Sequence, residues 1–273
     1  MGGSLGEKIG EGASSDVHAW APGQVVKLFK AGVPRRISWW EARMTRAVFA
    51  AGGPAPEVFN EVKVDGRFGL VLPRLDGPTL LHLLLTDAIT VEGAGEILAM
   101  LALGVHKTPS PPEVLPLVEY MERSLELPEA RIPEHIAKGI LALMDRLPSD
   151  EGLSHCDLHP DNVIMTPQGP RLIDWTATKR GGAPMDLAFC QFLHTELVVE
   201  SHGDPERRRA LDAAVQSAYA RLAGMSLTSL RPAVEAHLPI VRAFFLLGGL
   251  PRPATRERLL QRLDADLGHL GAS

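Results

Sequence analysis

The sequence is short of cysteine, of aromatic residues and of positive charge, and each shortage removes a class of function. Two cysteines, Cys156 and Cys190, in 273 residues cannot build a disulfide framework or a cysteine-based zinc site. Lys plus Arg total 28 against 33 Asp plus Glu, a formal charge of -5, so the basic excess that attracts nucleic-acid phosphates is missing. No uncharged apolar run reaches the roughly 20 residues of a spanning helix, because Glu96 and Arg242 interrupt the two best candidates. The start, Met1 to Gly6, has neither a basic-then-apolar signal nor the Ser or Thr that myristoylation wants at position 6. A soluble cytoplasmic protein that binds neither nucleic acid nor membrane is expected, with its oligomeric state left open. What is present is an apolar content of 45%, enough for a large core in one domain or for two lobes with a cleft between them.

The chain changes character near residue 76. Residues 9–30 hold two β-rich runs around Pro22-Gly23, which reads as a hairpin. From Ser38, the spacing of Trp39, Trp40, Met44, Ala47, Val48 and Ala51 marks one helical face, ended by Gly52-Gly53-Pro54. Short β-type runs follow at 58–64 and 68–72, giving the order strand, strand, helix, strand, strand. Beyond Asp76-Gly77-Pro78 helical faces dominate, around 80–85, 94–105, 115–125 and 136–147. A non-helical island covers 153–175, with a hairpin predicted around Pro167-Gln168-Gly169. Helices resume after Asp186, one closed by Gly224 and another marked by Leu259, Leu260, Leu263 and Leu267. The expected fold class is α+β: a small β-rich lobe over residues 1–76 and a larger helical lobe over 77–273.

Within the island stands His155-Cys156-Asp157-Leu158-His159-Pro160-Asp161-Asn162, followed by Ile173-Asp174-Trp175. An Asp and an Asn five positions apart on a loop, with a second Asp after a hairpin, can converge on one cleft. Phosphoryl transfer uses those residue types, since one carboxylate orients an attacking hydroxyl while another carboxylate and an amide oxygen hold magnesium against a triphosphate. A transition-metal site of His155, Cys156, Asp157 and His159 is the rival reading. Pro160 beside the second histidine and the absence of a zinc-type spacing oppose it.

These residues resemble the aminoglycoside phosphotransferase and choline kinase family, small-molecule relatives of the protein kinases. The resemblance implies a two-lobed protein-kinase-like fold, with ATP, GTP not being excluded, and Mg2+ as cofactors. It makes Asp157 the catalytic base, Asn162 and Asp174 the magnesium ligands, His155 a buttress of the loop, and Asp186 a support for it. The N-terminal lobe extends the resemblance. Gly10-Glu11-Gly12-Ala13-Ser14-Ser15 fits the kinase glycine loop in part, with Ser15 where a third glycine would fall, and Gly10, Gly12, Ser14 and Ser15 would face the phosphates. Lys27, in Val25-Val26-Lys27-Leu28-Phe29, matches the strand lysine that contacts the nucleotide.

Glu41 is the sole acidic residue between Ala31 and Pro56, so it is the candidate partner of Lys27 there. Ser38-Trp39-Trp40-Glu41 also reads as a capping box, in which Glu41 would bond back to the Ser38 amide. At the hinge the resemblance sets Leu72 against the adenine and lets the backbone of Pro73 and Leu75 read the base. The acceptor would be a hydroxyl-bearing small molecule, an aminoglycoside-like antibiotic or a sugar or amino alcohol, lying near the helices after Asp186. Glu196 and Glu200 there could attract an ammonium group, with Asp204 nearby. A choline-like acceptor fits less well, because an aromatic cage has few rings to draw on: two tyrosines, and Trp175 as the sole tryptophan beyond residue 40.

Overall fold

The computed structural model describes residues 5–148, 150–197, 204–248 and 253–270. Its N-terminal part is one antiparallel sheet of β1 (Lys8–Glu11), β2 (Ser15–Ala21), β3 (Gln24–Phe29), β4 (Asn60–Val64) and β5 (Arg67–Pro73), in the order β1-β2-β3-β5-β4. The sequence pattern suggested one strand before the Pro22-Gly23 turn. The fold divides it into β1 and β2, because residues 12–14 turn the chain back on itself. Side chains alternate across a strand, so Val25, Lys27 and Phe29 share one face of β3, and Lys27 stands in register with Leu70 of β5. Phe29, Ala42, Val58 and Leu70 form a small core on that face, which brings α1 (Arg35–Ala50) alongside Lys27.

Helix α1 starts three residues earlier than its apolar spacing suggested. Pro34, extended at φ -64 and ψ 144, precedes it, and proline's fixed φ suits a helix entry. Ser38 is therefore inside the helix, buried, with its hydroxyl donating to the Arg35 carbonyl at 2.9 Å. The capping box of Ser38 and Glu41 does not form.

The rest is mostly helical: α2 (Leu80–Leu85), α3 (Val91–Lys107), α4 (Leu117–Leu125), α5 (Glu134–Arg146), α6 (Gly182–Thr195), α7 (Pro205–Ala223), α8 (Leu227–Gly248) and α9 (Pro253–Leu270). Thr79 and Thr90 cap α2 and α3 by accepting from the His82 and Gly93 amides, satisfying donors that helix starts leave open. Gly224 ends α7 at φ 67, a left-handed conformation that glycine adopts without strain. Among the described residues four short strands interrupt the helices. β6 (Leu153–Ser154) pairs with β9 (Lys179–Arg180), and β7 (Val163–Thr166) pairs with β8 (Gly169–Leu172).

The large core gathers Leu98, Val105, Ile140, Leu153, Leu158 and Trp175, and Met44 and Val48 of α1 join it. Helix α1 thus packs on the sheet with one face and on the helical part with another. Between β5 and α2 the chain passes so close to β7 that a Cβ at Gly77 would lie 2.0 Å from the Met165 carbonyl oxygen, which only glycine tolerates. Among the described residues no helix is long and apolar enough to cross a membrane.

Candidate active site

The loop between β6 and β7 carries the sequence motif, and buried polar contacts fix its shape. Asp186, in the second turn of α6, is fully buried. Its carboxylate accepts from the backbone amides of His155 at 3.1 Å and Cys156 at 2.7 Å, and from Nε2 of His106 at 3.0 Å. Cys156 is thereby held at φ 61, a left-handed conformation that costs a non-glycine residue about 1–3 kcal/mol and persists when its surroundings impose it. The His155 ring donates from Nε2 to the Ile173 carbonyl at 3.1 Å and meets the Trp175 ring edge-on at 4.6 Å. Burial lowers the His155 pKa, which keeps the ring neutral.

Asp157 and Asn162 face each other across this loop. Asn162 Nδ2 donates to the Asp157 carbonyl at 2.9 Å and to Asp157 Oδ2 at 3.0 Å, while His159 Nε2 lies 3.7 Å from Asp157 Oδ1. Because the amide nitrogen of Asn162 is spent on Asp157, its oxygen is the atom turned to other uses. Burial raises the Asp157 pKa, His159 works against that rise, and the nearby Asp174 charge adds to it. A carboxylate of raised pKa is a better proton acceptor near neutral pH. Asp161 is exposed and stands outside this cluster.

Asp174 comes from the other side, after β8. It too is left-handed, at φ 63, with the fully buried Trp175 anchoring the next position. Lys27 bridges the two lobes: its Nζ lies 2.7 Å from Glu41 Oε1 and 3.1 Å from Asp174 Oδ2. Thr176 closes the set, its hydroxyl reaching Asp174 Oδ1 at 2.8 Å and Glu41 Oε2 at 3.1 Å. Burial works against the Lys27 charge, yet the carboxylates of Asp174 and Glu41 hold its pKa above the ordinary range. Burial pushes Asp174 up, and Lys27 and the Thr176 hydroxyl outweigh it and hold Asp174 below the ordinary carboxyl range. Glu41 is pushed up by burial against the pull of Lys27.

The expected phosphate loop is the turn between β1 and β2. Gly12 donates to the Ser15 carbonyl at 2.8 Å, and Lys30 donates to the Ser14 carbonyl at 2.8 Å. Ser15 is buried in register with Phe29, whereas Ser14 is exposed. A Cβ at Gly10 or Gly12 would find its nearest neighbour at 3.5 Å, so backbone conformation does not demand either glycine. Leu72 packs against the small core. Pro73 has no amide proton, and the Arg74 amide is taken by the Gly23 carbonyl at 2.9 Å.

The expected acceptor carboxylates are placed differently. Both Glu196 oxygens take the guanidinium of Arg242, at 2.5 and 2.8 Å, and Arg242 also reaches Asp266. Arg242 is nearly inaccessible, so Glu196 is committed to a buried ion-pair network rather than offered to a cationic ligand. Glu200 lies outside the described residues. Asp204 caps α7, accepting from the Arg207 amide. Among the described residues no three His, Cys, Asp or Glu side chains are grouped to hold a metal ion, and in the histidine loop the His155 Nε2 is already engaged by the Ile173 carbonyl.

Sequence reasoning passed over Thr176, His106, Trp40 and Lys179. Thr176 carried a faint signal, a hydroxyl two positions after Asp174. His106 carried none, standing 80 positions before Asp186. Trp40 Nε1 donates to the Thr176 carbonyl at 3.0 Å and so ties α1 to the Asp174 run.

The comparisons agree with this architecture. A thermostable mutant of aminoglycoside phosphotransferase APH(4)-Ia is similar at TM-score 0.63 and 16% identity, over 100% of this chain and 96% of that one. A choline/ethanolamine kinase family protein from Mesorhizobium loti is similar at TM-score 0.61 and 16% identity, over 96% and 87%. The streptomycin-ATP complex of APH(2")-IIa is similar at TM-score 0.55 and 15% identity, over 97% and 91%. Likeness at such identity establishes the two-lobed kinase-like fold. No match was found among curated protein sequences. The family model described as "Phosphotransferase enzyme family" matches residues 6–225, and with that span covered the chain belongs to this family of phosphotransferases.

Proposed function

We propose that this protein moves the γ-phosphate of ATP to a hydroxyl of a small molecule, with Asp157 as the base. The observation that carries the reading is the Lys27–Glu41–Asp174 junction between the lobes, with Thr176 on both carboxylates and the Asp157–Asn162 pair on the adjoining loop. Lys27, kept charged by two carboxylates, steadies the phosphates as a point charge. Leu75 supplies the amide of the hinge, beside the Pro73 carbonyl. Gly10, Gly12, Ser14 and Ser15 cover the triphosphate, and residues 1–76 act as the nucleotide lobe against an acceptor lobe of 77–273.

Asp157 accepts the proton of the acceptor hydroxyl as its oxygen attacks the γ-phosphorus and the bridging oxygen leaves with ADP. The Asn162 amide fixes the carboxylate rotamer from which that proton is taken. Magnesium fits the donor set: Asp174 is a carboxylate held in its ionised form, and Asn162 presents an amide oxygen, the hard oxygen ligands this ion takes alongside phosphates. When bound, it neutralises charge on the phosphates. Asp174 and Asn162 would hold it.

The first acceptor class to test is an aminoglycoside-like antibiotic, and the second is a sugar or amino alcohol. A protein substrate is disfavoured, since Asp186 follows Asp174 by 12 positions and β9 and the start of α6 fill the interval. The test is ADP release with MgATP and with MgGTP over a panel of aminoglycosides, other antibiotics, sugars and amino alcohols. Stimulation by one class that disappears in Asp157→Asn supports the reading. A panel that leaves release flat, with no nucleotide binding, defeats it.

A further inference from the structure

Lys179 is buried at 4% exposure, and nothing in the chemistry above uses it. Its Nζ donates to the carbonyls of Ala177 at 3.1 Å and Thr178 at 3.2 Å. Around it stand three rings, with centroids at 4.6 Å for Tyr120, 5.5 Å for Phe244 and 5.8 Å for Trp40. Those rings come from α4, α8 and α1. No carboxylate among the described residues forms an ion pair with it, and burial lowers its pKa. Ring faces and carbonyl oxygens therefore receive this charge. The aromatic cage that seemed out of reach in the sequence exists, assembled from Trp40, Tyr120 and Phe244, and the chain's own ammonium fills it.

The location gives the cage a consequence. Lys179 closes the run that begins at Asp174 and Thr176, and its backbone pairs with Ser154, three positions before Asp157. Trp40 adjoins Glu41 and binds the Thr176 carbonyl. We propose that Lys179 is a positioning residue for phosphoryl transfer: a tethered primary-ammonium ligand whose three-ring box fastens the 174–180 run, and Asp174 with it, to α1, α4 and α8. This rests on the reading that Asp157 and Asp174 carry the reaction, whereas the box itself stands on geometry alone.

The experiment uses Lys179→Ala, which deletes a propylammonium, with n-propylammonium and the neutral n-propanol as added ligands. Melting temperature and magnesium-dependent ADP release are both read, and Lys179→Met supplies an uncharged filler. Lys179→Ala should lower kcat by about tenfold or more, as small displacements of reacting groups do, while KM for the nucleotide moves by less than about threefold. Propylammonium should raise the melting temperature of Lys179→Ala but not of the wild type, and should recover part of the lost kcat, whereas propanol should do neither. Equal rescue by propanol, or wild-type kcat in Lys179→Met, would overturn the proposal. If Lys179→Ala does not fold, Lys179→Met decides: a lowered kcat at wild-type melting temperature supports a positioning charge. A wild type without turnover counts against the phosphotransfer assignment, and the amine-specific rise in melting temperature still tests the box.

Discussion

Replacing Asp186 by Asn tests whether one buried carboxylate sets the geometry of the loop before Asp157. The carboxylate accepts three hydrogen bonds, from the amides of His155 and Cys156 and from His106. An asparagine of the same shape has one acceptor oxygen. Its best orientation keeps that oxygen toward His155 and His106 and turns its NH2 against the Cys156 amide, two donors face to face in a buried site. A hydrogen bond to a charged group is worth about 1.5–3 kcal/mol, and an unsatisfied buried donor costs about 1–3 kcal/mol. Part of both is recovered if Cys156 relaxes from its φ of 61, so a destabilisation of about 3 kcal/mol is expected. At about 2–4 °C per kcal/mol for a chain of this size, the melting temperature should fall by about 6–12 °C.

The pH dependence carries a sign. Burial alone would raise the Asp186 pKa, but the bonds from His106 and the Cys156 amide hold it below the ordinary range. Its stabilisation is complete above the unfolded carboxyl pKa of about 3.9 and is lost as pH falls through the lower folded value. The gap between wild type and Asp186→Asn should therefore be constant near neutrality and narrow in acid. Thermal unfolding from pH 3 to 8 reads both. A melting temperature within about 2 °C of wild type at pH 7 would refute the claim that this carboxylate braces the loop.

Asp157→Asn should lower kcat by about 10²–10⁴-fold with nucleotide affinity kept, and calorimetric loss of ADP binding would show that Asp157 holds the nucleotide instead. Glu41→Gln should lower kcat/KM by about 10-fold by leaving Lys27 with Asp174 as its one close counter-charge. Ser38 lies inside α1, so unchanged kinetics would remove Glu41 from the site altogether. Glu196→Gln should destabilise by about 1.5–3 kcal/mol, because the buried Arg242 loses one of its two carboxylate partners and keeps Asp266, while KM for a cationic acceptor stays within twofold; a selective rise in that KM at unchanged stability would restore Glu196 to the acceptor pocket.

Much of this protein was legible in order along the chain. The α+β division follows from period-two runs giving way to helical faces, and the polar loop with its following Asp announced itself because its members are near neighbours in sequence. Local geometry also gave the 163–172 hairpin and the helix end at Gly224. Other features depend on which faces the tertiary fold brings together. Glu41 had two readings, and the choice turned on Pro34 starting α1 early enough to bury Ser38 and turn Glu41 toward β3. Glu196 read as a carboxylate open to an acceptor's ammonium group until α8 placed Arg242 against it, 46 positions on. Lys27 meets Asp174 across 147 positions, and Lys179 finds rings from three helices. A sequence lists which charges and rings a chain owns. Which of them share a buried space is set by packing between distant segments, where an ion excluded from water must take whatever partner the fold provides.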